Sequence, residues 1–292
     1  MNKTIDNDNK VLACVDQSAF APAVAEYAAW AARRLAAPLE FLHVIDRHPT
    51  LGTDQDHSGA IGLGAQEALL SQLSSEDEQR SRAAREAGRV FLLQLRDRAL
   101  GSGVAQVDTR QRHGDVEETL SGQQEGVRLF VLGRRGEAAS ADAQKALGGH
   151  VEWVVRSMQR PILTVPAQYR EPSRVLIAFD GRAVTRRGIE MIAASPLLKG
   201  LPLHLLSATD APGRHQKTLD WAQQTLRTAG FEVTAAGAPG KPAAVIDAAI
   251  RTQGFDLLVM GAYSHSPLRS WLFGSNTTAL LRATAIPTLL LR

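Results

Sequence analysis

Cysteine is almost missing from this 292-residue sequence: Cys14 is the only one. A lone cysteine closes no internal disulfide, which excludes a disulfide-held scaffold and fits a reducing compartment. It sits in the apolar run VLACVD, the setting of a small buried hydrophobe rather than a nucleophile. Aromatic residues make up 5%, so Leu, Val, Ala and Ile must build the core. No run of about 18 apolar residues exists, so no membrane-spanning helix is expected. The first ten residues, MNKTIDNDNK, lack the apolar core of a secretory signal, and a cytoplasmic location is expected.

Other absences narrow the chemistry. The net charge is only +3, and no basic cluster is interleaved with aromatics, so nucleic acid is not an expected partner. G-x-S-x-G is absent, which argues against a nucleophile-elbow hydrolase. GxxxxGK[ST] is absent, which excludes a P-loop NTPase. His43, His113 and His265 fall on different elements with no Cys or carboxylate at ligand spacing, so no metal site made by protein alone is expected.

What is present is repetition. KVLACVD (10–16) reads as a buried strand and SAFAPAVAEYAAWAARRLA (18–36) as a helix with Ser18 a plausible N-cap. PLEFLHVID (38–46) is a strand, VAQVDTRQRHG (104–114) a strand, and DVEETLSGQQEG (115–126) a helix. VRLFVLG (127–133), HVEWVVRSMQ (150–159) and RPILTVP (160–166) continue as strand, helix and strand. The second half repeats the order: RVLIAFD (174–180), LPLHLLSATD (201–210), GFEVTAAGAPGKPAAVIDAAIRTQGFDLLVMG (230–261) and AIPTLLLR (285–292). The expected domains are 1–168 and 172–292. Asp16 to Gly133 spans 117 residues and Asp180 to Gly261 spans 81, an excess of 36 in the first copy. Most of that excess is the Gly- and polar-rich insert 47–79. It reads as a long surface loop before a charged helix from about Ser75 to about Leu100.

Buried apolar strands alternating with helices imply parallel sheets covered on both faces, one doubly wound unit per copy. Ligands then bind outside the carboxyl ends of the strands, where strand order reverses. In the second copy Asp180 closes the first strand, Ser207–Asp210 the second, and Gly261 the fourth. GSNTTALLRA (274–283) then opens a helix whose first turn offers Gly274, Ser275, Asn276 and Thr277. Backbone donors and the positive end of a helix dipole bind phosphate there. The Asp180 carboxylate can accept from a ribose or an adenine amine, or help hold Mg²⁺. Asp16 and Asp180 can equally be read as caps of the helices that follow.

The ordered set Gly261-x2-Ser264-x9-Gly274-Ser275, after DLLVMG and before a helix and I-P-x-L-L, resembles the universal stress protein family. Nucleotide-binding members carry G-x2-G-x9-G-(S/T). The likeness covers nearly the whole chain, twice over. The resemblance implies two tandem Rossmann-like domains, each a five-stranded parallel sheet with helices on both faces. It implies a stress-response protein binding ATP, ADP or AMP, with or without Mg²⁺, and passing the bound state to protein partners. By that pattern Asp180 and Ala208 contact adenosine, while Gly261, Gly274, Ser275 and Thr277 hold phosphates; Ser264, which stands where the family has its second glycine, and Asn276 belong to the same nucleotide site.

The first copy holds Asp16, Val44, Gly133, Gly136, Gly148 and Gly149 in the matching places, an expected weaker site. Its loop has 11 residues between Gly136 and Gly148 instead of nine, carries Glu137 and Asp142, and has Gly149 and Val151 where the second copy has Ser275 and Thr277. Binding is therefore expected mainly in the C-terminal copy. With no positioned base, at most weak ATP hydrolysis is expected. A slow ATPase or nucleotidyl-transfer enzyme, or a scaffold that binds no nucleotide, are the alternatives. PILTVPA (161–167) and PTLLLR (287–292) would be exposed apolar edges unless paired. An internal pseudo-dimer follows, open to further homodimerisation.

Overall fold

A computed structural model describes residues 9–45, 63–135, 148–209, 216–261, 280–282 and 284–292. The first copy contributes β1 (Lys10–Cys14), α1 (Ala21–Leu35), β2 (Leu39–Ile45), α2 (Leu63–Gly101), β3 (Val107–His113), α3 (Val116–Ser121), β4 (Val127–Gly133), α4 (Gly149–Ser157) and β5 (Ile162–Val165). The second contributes β6 (Val175–Ala178), α5 (Ala183–Ala194), β7 (Leu203–Ala208), α6 (Gln216–Thr228), β8 (Val233–Ala238), α7 (Pro242–Gln253), β9 (Leu257–Gly261) and β10 (Thr288–Leu291), with a helical turn at 280–282.

The strands do not make two separate sheets. They form one ten-stranded sheet in the order β3-β2-β1-β4-β5-β10-β9-β6-β7-β8. Neighbours within each copy are parallel. The seam between the copies is antiparallel, Thr288 facing Thr164 and Leu290 facing Ile162. The expected pairing of the two apolar edges is thus present. Central strands buried on both faces explain the unbroken runs LLVM and LFVL. One face carries α1, α2, α5 and α6 over a cluster holding Trp30, Phe41, Leu163, Ile192 and Leu289. The opposite face carries α3, α4 and α7 over a cluster holding Phe130, Val154, Ile246, Leu281 and Leu290. Both clusters run across the seam, so the copies share their cores.

The antiparallel seam explains how a short connection suffices. The carboxyl end of β5 lies on the same sheet edge as the amino end of β6, separated only by β10 and β9. Residues 166–174 run along that edge and are tied down. Arg170 N donates to the Tyr27 hydroxyl (3.2 Å), and Tyr169 packs edge-on against Tyr27 at 4.7 Å. Buried Asp256 accepts from the backbone N–H groups of Ser173 (2.9 Å) and Arg174 (2.7 Å).

Three local expectations are corrected. α1 starts at Ala21 after Phe20, not at Ser18. Ser18 instead makes a pre-helical turn, its Oγ accepting from Phe20 N at 3.3 Å, and Pro22 presets the first helical turn. α3 ends at Ser121 because Gly122 caps it, well before Gly126. α2 begins at Leu63 and not at about Ser75, so residues 63–74 of the insert are helical, not loop. Composition misled there, since a polar run can still be helical where i→i+4 pairs support it. Such pairing is visible at Arg82–Glu78 (3.3 Å) and, at i→i+3, Arg89–Glu86 (2.7 Å).

Candidate functional site

Parallel register places the sequence-identified residues of each copy side by side. In the second copy Ala178 pairs with Leu206 and Met260. Two residues on stand Asp180 and Ala208, and one residue on stands Gly261. In the first copy Cys14 pairs with Leu42 and Leu132. Asp16, Val44 and Gly133 follow in the same way. Both groups sit at the carboxyl ends where strand order reverses, between β6 and β9 and between β1 and β4. Because the seam is antiparallel, the two groups lie on opposite edges of the continuous sheet.

Neither aspartate caps a helix. Asp180 Oδ1 accepts from Arg182 N (3.0 Å) and Thr185 Oγ1 (2.7 Å), and Arg182 Nε stands 3.6 Å from Oδ2. The carboxylate is oriented by these bonds yet its side chain is 51% exposed, so oxygen lone pairs still face solvent. Asp16 Oδ1 accepts from Ser18 N at 3.1 Å in the matching turn.

A side chain is excluded at Gly133 and tight at Gly261. A Cβ at Gly133 would meet the Phe20 Cβ at 2.9 Å and the Arg135 carbonyl at 3.1 Å. A Cβ at Gly261 would meet Thr185 Cγ2 at 3.1 Å and Val184 Cγ1 at 3.2 Å. Gly148 precedes α4 in extended conformation, its N–H donating to the Arg134 carbonyl (3.0 Å). Gly149 opens α4 with empty space where a side chain would stand. Gly136, Ser264, Gly274, Ser275, Asn276 and Thr277 lie outside the described residues, as do Glu137, Asp142, His265 and Arg269.

The first copy's crevice is small and apolar. It encloses about 110 Å³ against Cys14, Phe20, Val44, Leu132, Val151 and Val154, with Arg135 and His150 among the polar neighbours. Burial and the Asp16 carboxylate push the Cys14 thiol up to about 12, so it stays protonated and unreactive. His150 Nδ1 stands 3.3 Å from Glu117 Oε1, linking α4 to α3. Among the described residues no group of three or more His, Cys, Asp or Glu is placed to hold a metal ion.

Two residues acquire roles the sequence did not reveal. Phe20 lies over Gly133 where the second copy has Val184 over Gly261; setting the two helix starts side by side would have exposed the difference in bulk. Arg134 is half-buried. It turns into the seam, where Nη2 donates to the Ile286 carbonyl and lies 3.4 Å from Thr288 Oγ1. Burial lowers its guanidinium to about 10. Across the same seam Arg282 pairs with Glu152 of α4, and Arg292 donates to the Val155 carbonyl. No sequence signal marks an arginine that crosses between copies.

Comparison with known proteins fits this frame. The model of the universal stress protein family matches twice, at residues 9–166 and 172–292. The universal stress protein Slr1230 of Synechocystis is 32% identical over 285 residues, covering 97% of this chain and 99% of that protein. Among solved structures, a universal stress protein from Archaeoglobus fulgidus DSM 4304 superposes with a TM-score of 0.69 at 18% identity, covering 97% and 98% of the two chains. The functionally unknown protein PA1789 from Pseudomonas aeruginosa PAO1 superposes with a TM-score of 0.59 at 17% identity, covering 97% and 92%. Among the described residues no helix is long and apolar enough to cross a membrane.

Proposed function

This chain belongs to the universal stress protein family, and from that premise we propose that it is a cytoplasmic stress-response protein that binds an adenine nucleotide. Binding falls mainly in the C-terminal copy, and the bound state is passed on to protein partners. One observation carries the preference between copies. Both copies present the same strand-end frame, but in the first Phe20 covers Gly133 and leaves about 110 Å³. Ligand sites ordinarily offer about 300–1,000 Å³. In the second copy the exposed Asp180 carboxylate stands beside Ala208 and Gly261, a set that suits the ribose and adenine end of ATP, ADP or AMP.

When bound, the nucleotide supplies a polyphosphate, with or without Mg²⁺. Asp180 would accept from its sugar hydroxyls, and Gly261, lacking a Cβ, lets Val184 and Thr185 of α5 pack close beside the strand end. No described group stands as a general base beside this frame, so the reading is binding with at most weak hydrolysis, below the ~1 s⁻¹ low end of ordinary enzymes.

Calorimetric titration of ATP into the full chain tests this. Asp180→Ala should weaken binding at least tenfold, the worth of about 1.4 kcal/mol, while Asp16→Ala leaves it nearly unchanged. Loss of binding in Asp16→Ala but not in Asp180→Ala would place the site in the first copy. No heat with any adenine nucleotide, and none co-purifying by mass spectrometry, would remove the reading altogether.

A further inference from the structure

A cavity of about 300 Å³ opens over the seam between the copies, apart from both strand-end sites. Leu129, Leu289 and Leu291 form its floor, and Leu35 of α1 and Ile192 of α5 its walls. All five are buried. The loop after α5 closes one side, and Arg34 pins that loop by donating to the carbonyls of Leu197 and Lys199. The space exists because α1 and α5 come from different copies. Each packs on its own half of the sheet, and neither fills the ground above β5 and β10.

The rim differs from the floor. Arg128 and Arg160 stand at the mouth, and no carboxylate is among the lining residues. Arg160 donates Nε to the Gln124 carbonyl (2.9 Å) and Nη2 to the Glu125 carbonyl (3.1 Å), which fixes its guanidinium in place. The Arg128 guanidinium has no hydrogen-bond or ion-pair partner among the described residues. One cation held in place and a second beside it, above an aliphatic floor, match an anion with a hydrocarbon tail. They do not match a nucleotide, whose base and sugar would find no hydrogen-bond partners on the leucines.

We propose that this cavity binds a medium-chain aliphatic carboxylate, its tail on the leucine floor and its head group at Arg128 and Arg160. An apolar cavity of this size is unfavourable to leave empty, and apolar cavities take up apolar guests of matching size. The carboxylate adds charge-assisted hydrogen bonds at the rim.

Calorimetry on the full chain with octanoate, octanol and octylammonium decides it. Octanoate should bind at least tenfold more tightly than either of the others. Arg128→Gln should weaken octanoate about tenfold, the cost of one hydrogen bond to a charged group. Ala194→Trp, which plugs the mouth from α5, should abolish octanoate binding while ATP titrates as in the parent. If that variant does not fold, Arg128→Gln together with the octanol comparison decides alone. Equal binding of octanoate and octanol, or octanoate binding undiminished in Ala194→Trp, overturns the proposal.

Discussion

The two copies keep the same strand order and register but cover them differently. Between the second and third strands the first copy has the 39-residue α2 and the second the 13-residue α6. Between the third and fourth the ratio reverses: α3 has 6 residues and α7 has 12. The buried polar set on the outer strands differs too. In the first copy Glu40 accepts from Lys10 (2.9 Å) and pairs with Arg110 (3.0 Å), with the Lys10 and Glu40 side chains only 5% and 2% exposed. At the matching register in the second copy stands His204, 2.7 Å from Thr234 Oγ1 and stacked on Phe255 at 5.4 Å. The sheet frame, which sets where strand ends meet, is what duplication preserved. The cover and the outer polar groups, which bear only on stability and access, were free to diverge.

That contrast can be broken most forcefully at the outer strands. Glu40→Gln leaves Lys10 buried without its counter-ion and should cost about 3–5 kcal/mol. His204→Ala removes one side-chain hydrogen bond and one ring contact and should cost about 1–2 kcal/mol. Urea unfolding of both variants measures the difference; equal costs would mean that the two polar sets are equivalent.

The glycines sharpen it next. Gly133→Ala drives a methyl into the Phe20 Cβ and a carbonyl, neither of which can swing away, and should cost about 2–3 kcal/mol. Gly261→Ala meets only the methyl ends of Thr185 and Val184 and should cost about 1 kcal/mol. Thermal unfolding of the pair shows whether the first copy is in fact the tighter one.

Cys14 gives the smallest effect. Its counterpart is Ala178, so Cys14→Ala makes the copies alike and should shift stability by less than about 1 kcal/mol at pH 7. The thiol is held up near 12 in the folded protein against its ordinary 9.0. The unfolded chain therefore loses the proton first, and stability contributed by this group is full below pH 9 and falls as pH rises toward 12. Denaturation at pH 8 and pH 10.5 should show a steeper loss in the parent than in Cys14→Ala.

Much of this was legible in the sequence, for physical reasons. Apolar runs mark buried parallel strands, GKP and QG mark the start and stop of α7, and repetition of VLACVD as VLIAFD marks the duplication. Strand ends then bring Asp180, Ala208 and Gly261 together without any further information, because parallel register is fixed by burial. What stayed hidden depends on contacts between copies or on exposed surface. Arg134 lies in a glycine loop, and only its neighbour across the seam gives it a role. The first part of α2 follows a Gly- and polar-rich run and so reads as loop. Phe20 looks like one more apolar residue until its distance to Gly133 is known.

The seam also sets the valence of the chain. Pairing β5 with β10 consumes, within one molecule, the apolar edge strand of each copy. The strands left at the rims of the described sheet are β3 and β8. β3 reads VDTRQRH, and its charges discourage another strand from docking. β8 reads VTAAGA, uncharged and small. Of the two rims, β8 is therefore the one whose sequence leaves strand-to-strand docking unopposed.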